Sequence, residues 1–327
     1  MSEQRFDLSV LLSAGRIGVL AALVIFALAL PARAQDMEPR AYSPSPLGTN
    51  FVAVVVGNSS GAILFDPTVP ITDARGDLNS ALVGYARTIR MGIRQGLVTA
   101  TLPYVWGELA GKVFEESRQI RRSGLADVRV KMSLNFVGTK PMTRDEFARA
   151  PRRTIVGASL TVQAPTGQYD KTKLINVGTN RWSFKPEVGV SVPVGRWFLD
   201  AYGGAWFFTS NDRFYTGDAT RRQDPLVALQ GHAGYTFKSR AWMAVDATWY
   251  GGGEATVDGG PPSSRQSNTR FGGTFSLPIT RSQSIKFSAS EGVAARTGSN
   301  FETYLVGWQL MWFDRPRGDD LHPSADR

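Results

Sequence analysis

From Asn50 to Phe313, apolar residues fall on alternate positions in one stretch after another. Val227, Leu229, Ala233, Tyr235 and Phe237 share one parity, while Gln230, His232 and Thr236 take the other. Phe271, Phe275 and Leu277 alternate with Arg270, Thr274 and Ser276, and Tyr304, Val306, Trp308, Leu310 and Trp312 continue the same rule. Period two sends successive side chains to opposite faces of a strand. About twelve such stretches, each of roughly 9–15 residues, begin near Asn50, Leu78, Gly96, Ala126, Thr154, Arg181, Trp197, Pro225, Ala241, Asn268, Ser284 and Phe301. Soluble strands average about 5–6 residues, whereas a strand that crosses a bilayer needs about 9–11. The pattern therefore predicts an all-β fold, a transmembrane antiparallel up-and-down β-barrel of about twelve strands over residues 50–313.

The connections alternate in length. Gly92–Gln95, Pro193–Arg196, Lys238–Arg240 and Thr280–Gln283 are short, whereas the regions 59–77, 107–125, 165–180, 211–224 and 253–267 are long. Short periplasmic turns opposite long external loops are the outer-membrane layout. Residues 138–153 break the rule: they lie on the short-turn side but are long. Thr143 and Glu146 have capping-box spacing and Pro151 is a stop, which predicts one short periplasmic helix.

The N-terminus explains how such a chain reaches a membrane. Arg5 and Arg16 precede the apolar run Ile17–Leu30, and Pro31 and Ala32-Arg33-Ala34 follow it. This order is that of a secretory signal, so residues 1–34 are read as a cleaved signal peptide and 35–49 as an N-terminal periplasmic segment. No later segment is apolar over the length a spanning helix needs, so any membrane insertion must use a closed barrel. The expected location is the bacterial outer membrane, with its lipid and lipopolysaccharide as partners. Aromatics gather at strand ends, among them Trp106, Trp182, Trp197 and Trp249, as expected at a headgroup boundary. The last strand ends in Trp312-Phe313, resembling the terminal signal read by barrel-assembly machinery. The polar tail 314–327 is expected to be disordered.

Composition narrows the chemistry. There is no cysteine, which removes disulfides, Cys-ligated metals and thiol nucleophiles. Two histidines, His232 and His322, leave little room for a metal site, and Asp66, Asp73 and Asp77 show no ligand spacing. The net charge is +9 without a long basic run, so nucleic acid is not an expected partner. No nucleotide motif, cofactor or metal is expected, so transport by this chain would be passive.

If the apolar parity faces lipid, the opposite parity lines the lumen. The candidate lining residues are Arg129, Lys131, Lys185, Glu187, Asp200, Tyr202, Gln230, His232, Asp246, Arg270 and Lys286. They could steer a solute, or they could brace the wall as an ion-pair network in which Lys185 or Arg270 meets Glu187 or Asp246. Aromatics of the same parity, Tyr202, Trp206, Phe208, Trp242 and Tyr250, could stack on an aromatic solute or fill the interior. The chain thus reads as a barrel that could serve as a passive channel, and the solute class, small hydrophobic or aromatic compounds, comes from the family resemblance given next. The alternative is a structural or adhesive surface barrel with a closed lumen. An outer-membrane lipid hydrolase is less favoured: its only usable histidine, His232, shares the lumen parity, and no catalytic residue is assigned.

Several stretches resemble a bacterial family of outer-membrane proteins assigned to the meta-cleavage pathway of phenol degradation. They are Arg40–Phe51 (RAYSPSPLGTNF), Arg122–Arg129 (RSGLADVR), Thr154–Asp170 (TIVGASLTVQAPTGQYD), Leu174–Glu187 (LINVGTNRWSFKPE) and Gln266–Arg270 (QSNTR). The resemblance implies an outer-membrane barrel with a role in uptake of aromatic or other hydrophobic compounds. It carries over no functional residue.

Overall fold

The computed structural model describes residues 37–64, 71–113, 116–215, 218–296 and 298–314. In chain order the strands are β1 (Thr49–Leu64), β2 (Ile71–Met91), β3 (Arg94–Val113), β4 (Glu116–Leu125), β5 (Arg129–Val137), β6 (Ile155–Gln163), β7 (Ser183–Val194) and β8 (Trp197–Phe208). They continue as β9 (Asn211–Phe214), β10 (Ala219–Gln223), β11 (Leu226–Thr236), β12 (Trp242–Gly252), β13 (Ala255–Val257), β14 (Gln266–Pro278), β15 (Gln283–Ala294) and β16 (Gly298–Phe313). One helix, α1 (Arg144–Arg149), lies between β5 and β6.

Neighbouring strands pair antiparallel all the way round, and β1 closes on β16 from Thr49↔Phe313 to Leu64↔Gly298. β4 and β5 both pair with β3 and are two parts of one stave, interrupted at 126–128. The result is a closed barrel of twelve antiparallel strands. β9, β10 and β13 stand apart as a small three-stranded sheet built from the loops beyond β8 and β12. The expected helix is present: the Thr143 hydroxyl accepts from the Glu146 amide and the Glu146 carboxylate accepts from the Thr143 amide at 2.8 Å.

Residue choice accounts for the wall. Along β12, Ala244, Asp246, Thr248 and Tyr250 are buried inward while Met243, Val245 and Trp249 point out. Val83, Val188 and Val245 are 54%, 64% and 61% exposed on the outer face. Water would penalise such a band, and hydrocarbon does not. Aromatic pairs mark two levels outside the barrel, Trp197–Tyr235 and Tyr85–Trp312 on the turn side and Tyr104–Trp106 and Trp182–Phe184 on the loop side. Tight hairpins set the turn side. Gly92 and Gly195 open their turns at φ 58° and 61°, and a Cβ there would meet nothing, so conformation and not space requires glycine.

Two expectations need correction. Much of 59–77 and 107–125, read as loops, is strand: β2 has 21 residues and β3 has 20. At about 3.3 Å per residue these exceed the bilayer and raise one side of the rim. Their polar ends mimic loop composition, but they still pair across Asp77↔Glu108↔Arg121. The second correction concerns residues 37–48, which were expected in the periplasm and instead enter the barrel. The signal segment 1–34 and the tail 315–327 lie outside the described residues.

Candidate functional site

The inner wall is polar, and the N-terminal arm 37–48 is seated in it. The arm cannot build a core of its own, so its polar atoms must find partners on the barrel. The Arg40 amide donates to Asp200 Oδ2 at 2.8 Å and the Ala41 amide to the Tyr202 hydroxyl at 3.2 Å. Asn135 Nδ2 donates to the Tyr42 carbonyl at 3.2 Å, and Gln95 Nε2 donates to the Ser45 carbonyl. The Arg40 guanidinium lies over Phe198 and Trp242, at 5.0 and 5.6 Å from the ring centroids.

Tyr42 is the most enclosed part of the arm, at 1% exposure. Its hydroxyl lies 3.2 Å from Glu187 Oε1 and 3.1 Å from Ser159 Oγ, and its ring meets Tyr202 edge-on at 5.2 Å. The slot for the ring is cut by Gly157 and Gly189, which face each other in register on β6 and β7. A Cβ on Gly157 would come within 2.6 Å of the Tyr42 ring, and one on Gly189 within 2.3 Å.

Below the arm lies a charged layer. Glu187 receives Lys185 Nζ at 3.1 Å and Gln230 Nε2 at 3.4 Å, with Lys131 Nζ at 3.8 Å. Lys131 also pairs with Glu38 of the arm at 2.9 Å. The Lys131 ammonium, opposed by burial, holds the Glu38 carboxyl down at about 2. A depressed carboxyl pKa favours the docked arm fully above the ordinary value near 4.5, and that contribution is lost as pH falls towards about 2. Release of the arm should therefore rise on acidification through this window, and Glu38→Gln should remove that part of the response, read as proteolytic access to residues 37–48.

The other candidate lining residues are also placed. Asp200 and Tyr202 hold the arm backbone. His232 Nδ1 pairs with Asp246 Oδ1 at 2.7 Å, and Thr274 donates to Asp246 Oδ2 at 2.8 Å. The His232 side chain is fully enclosed on the inner face, so it does not present a base to lipid. Arg129 Nε donates to Gln163 Oε1 at 2.8 Å, and Arg270 Nη2 to the Phe301 carbonyl at 3.1 Å. Lys286 lies over the Trp242 ring at 5.7 Å. Lys131, Lys185, Glu187 and Gln230 thus form one cluster, His232 and Asp246 another, and Arg129, Arg270 and Lys286 stand elsewhere on the wall. The bracing pair Lys185–Glu187 forms. The arm residues Glu38, Arg40 and Tyr42 were missed, as were Arg181 and Arg221 near the loop end. Gly157 and Gly189, both of inner parity, were the available signal, but their register is set by strand pairing that alternation does not give.

A closed barrel with an apolar belt, a polar lumen and a strand-free arm inside it defines an outer-membrane-type transmembrane β-barrel. The family described as "Putative MetA-pathway of phenol degradation" matches residues 58–310, and the chain belongs to it. Among solved structures, an outer membrane channel from Pseudomonas putida F1 is similar, with a TM-score of 0.70 and 19% identity, covering 85% of this chain and 100% of that one. The transport unit of the autotransporter AIDA-I from Escherichia coli aligns with a TM-score of 0.48 and 10% identity, covering 91% and 98%. No curated protein matches the chain.

Proposed function

We propose that this protein is a channel in the bacterial outer membrane for passive uptake of small hydrophobic or aromatic compounds, constricted by its own N-terminal arm. The observation that carries the reading is the arm itself, a separate segment held in a polar lumen by hydrogen bonds, the Glu38–Lys131 ion pair and one seated tyrosine. A barrel that needed only to be filled could do so from its wall. Family membership and the likeness to an outer membrane channel support the same class. The half-buried Trp242 ring, beside the Arg40 guanidinium on the inner wall, suits a ring-bearing solute. The basic and apolar runs at the N-terminus support export, with barrel-assembly machinery and outer-membrane lipid and lipopolysaccharide as partners.

The test is single-channel recording of the refolded mature protein with and without phenol. Current that phenol partly blocks is the expected result. A barrel that folds, as shown by heat-modifiable mobility and β-type circular dichroism, yet passes no current with or without its arm would replace the channel reading with a closed structural barrel.

A further inference from the structure

At the loop end of the lumen, two guanidinium groups converge on a neutral atom. Arg181 precedes β7 and is 8% exposed. Its Nη2 donates to Gln223 Oε1 at 2.5 Å, while Nε and Nη1 are buried with no hydrogen-bond partner. Arg221, from β10 of the small sheet, places Nη1 3.5 Å from the same oxygen. Among the described residues neither arginine forms an ion pair. Burial, and then the neighbouring Arg221 charge, pull the Arg181 pKa down to about 9. The carboxylate that opposes this fall, Asp127, already accepts from Gln163, from the Gly167 amide, and from the amide and hydroxyl of Thr179.

Buried guanidinium nitrogens without acceptors are costly, and two like charges around one amide oxygen add to the cost. A single carboxylate in place of the Gln223 oxygen would satisfy both groups, since guanidinium and carboxylate match in geometry. Beside this position stands an apolar face. Arg181 lies over the Phe208 ring at 4.2 Å from its centroid, and Phe208 packs on the buried cluster of Trp206, Leu226, Ala228 and Tyr250.

We propose that Arg181 and Arg221 bind the carboxylate of an aromatic acid, with its ring packed on Phe208 and Gln223 holding the place when the site is empty. This rests on the channel reading above and narrows its solutes to ring compounds that carry an acid group. The small sheet that supplies Arg221 and Gln223 would have to shift for the acid to enter.

The test is calorimetric titration of the detergent-folded mature protein with benzoate, acetate and benzyl alcohol, beside the phenol recordings. Benzoate should bind at least tenfold more tightly than acetate, which lacks the ring, or benzyl alcohol, which lacks the charge. Arg181→Gln should weaken benzoate at least tenfold and leave benzyl alcohol unchanged. Gln223→Glu supplies a tethered carboxylate between the two cations. It gives up the bond that Gln223 Nε2 donates to the Gly253 carbonyl at 3.0 Å but gains both cations, so it should still fold, as heat-modifiable mobility reads, and lose benzoate binding to the same extent. Equal benzoate affinity in parent and both variants overturns the proposal, as does acetate binding as tightly as benzoate, which would mark a simple anion site. Phenol block that survives while benzoate fails these tests leaves the channel standing and removes only the acid site. Loss of current and of phenol block removes the channel reading itself.

Discussion

On the channel reading proposed above, a chain that begins at Leu47 is expected to carry a steady open current several-fold larger than one that begins at residue 35. The shorter chain keeps Leu47 and Gly48, whose amides donate to the Met142 and Thr88 carbonyls at 2.8 and 3.1 Å and lead into β1. Burial of Tyr42 favours docking by about 2–3 kcal/mol, and the neutral hydrogen bonds add about 1 kcal/mol each. Spontaneous release is therefore rare, because each 1.4 kcal/mol corresponds to tenfold in population. Tyr42→Ala should give an intermediate trace with frequent brief openings. Planar-bilayer recording of the three proteins measures both effects. An unchanged closed trace after deletion would show that the constriction lies elsewhere.

The second large effect is on stability. Glu187 is the anion at the centre of the charged layer, facing Lys185 at 3.1 Å and Lys131 at 3.8 Å, with both carboxylate oxygens and both lysines largely shielded. Glu187→Ala should destabilise the barrel by about 3–5 kcal/mol, because breaking a buried pair leaves charge behind in a medium that solvates it poorly. Lys185→Met added to that variant should recover part of the loss, the mark of a direct coupling. The exposed loop pair Lys173–Asp170, at 2.8 Å, is the control, and Asp170→Asn should leave the midpoint where it was. Urea unfolding in lipid vesicles provides the comparison. Equal midpoints for Glu187→Ala and Asp170→Asn would mean that lumen water already screens the cluster.

The strand pattern was legible because a barrel imposes period two over its whole length. Each of the twelve expected starts lies at or close to a stave of the wall, but of the stave split at 126–128 only the β5 part was read as strand, while β4 was taken with the loop 107–125. Loop boundaries were less legible. Asp77, Glu108 and Arg121 are polar because they lie beyond the apolar belt, and that solvent environment makes strand ends look like loop. Parity also marked Lys185 and Glu187 as neighbours on one face of β7, two residues apart. It could not show the arm. Contacts such as Arg40–Asp200 and Tyr42–Glu187 join residues 160 and 145 positions apart, and no local periodicity records a partner at that distance. Arg181 and Arg221 were hidden for a related reason. One precedes a strand and the other belongs to a small sheet assembled from separate loops, so their approach depends on how those loops fold together.

The arm comes at the start of the described chain, and the socket of Tyr42 is made from β5 to β8, far downstream. The wall around that seat is complete only when β16 reaches β1, joining Thr49 to Phe313. During synthesis and export the stopper thus exists before the vessel it fits, and β1 beside it waits for the last strand of all. Contacts between such distant positions form late, because a long loop of chain must be closed first. Socket and seal are therefore separate: the Tyr42 socket needs only β5 to β8, whereas the wall that surrounds it is sealed only when β16 meets β1.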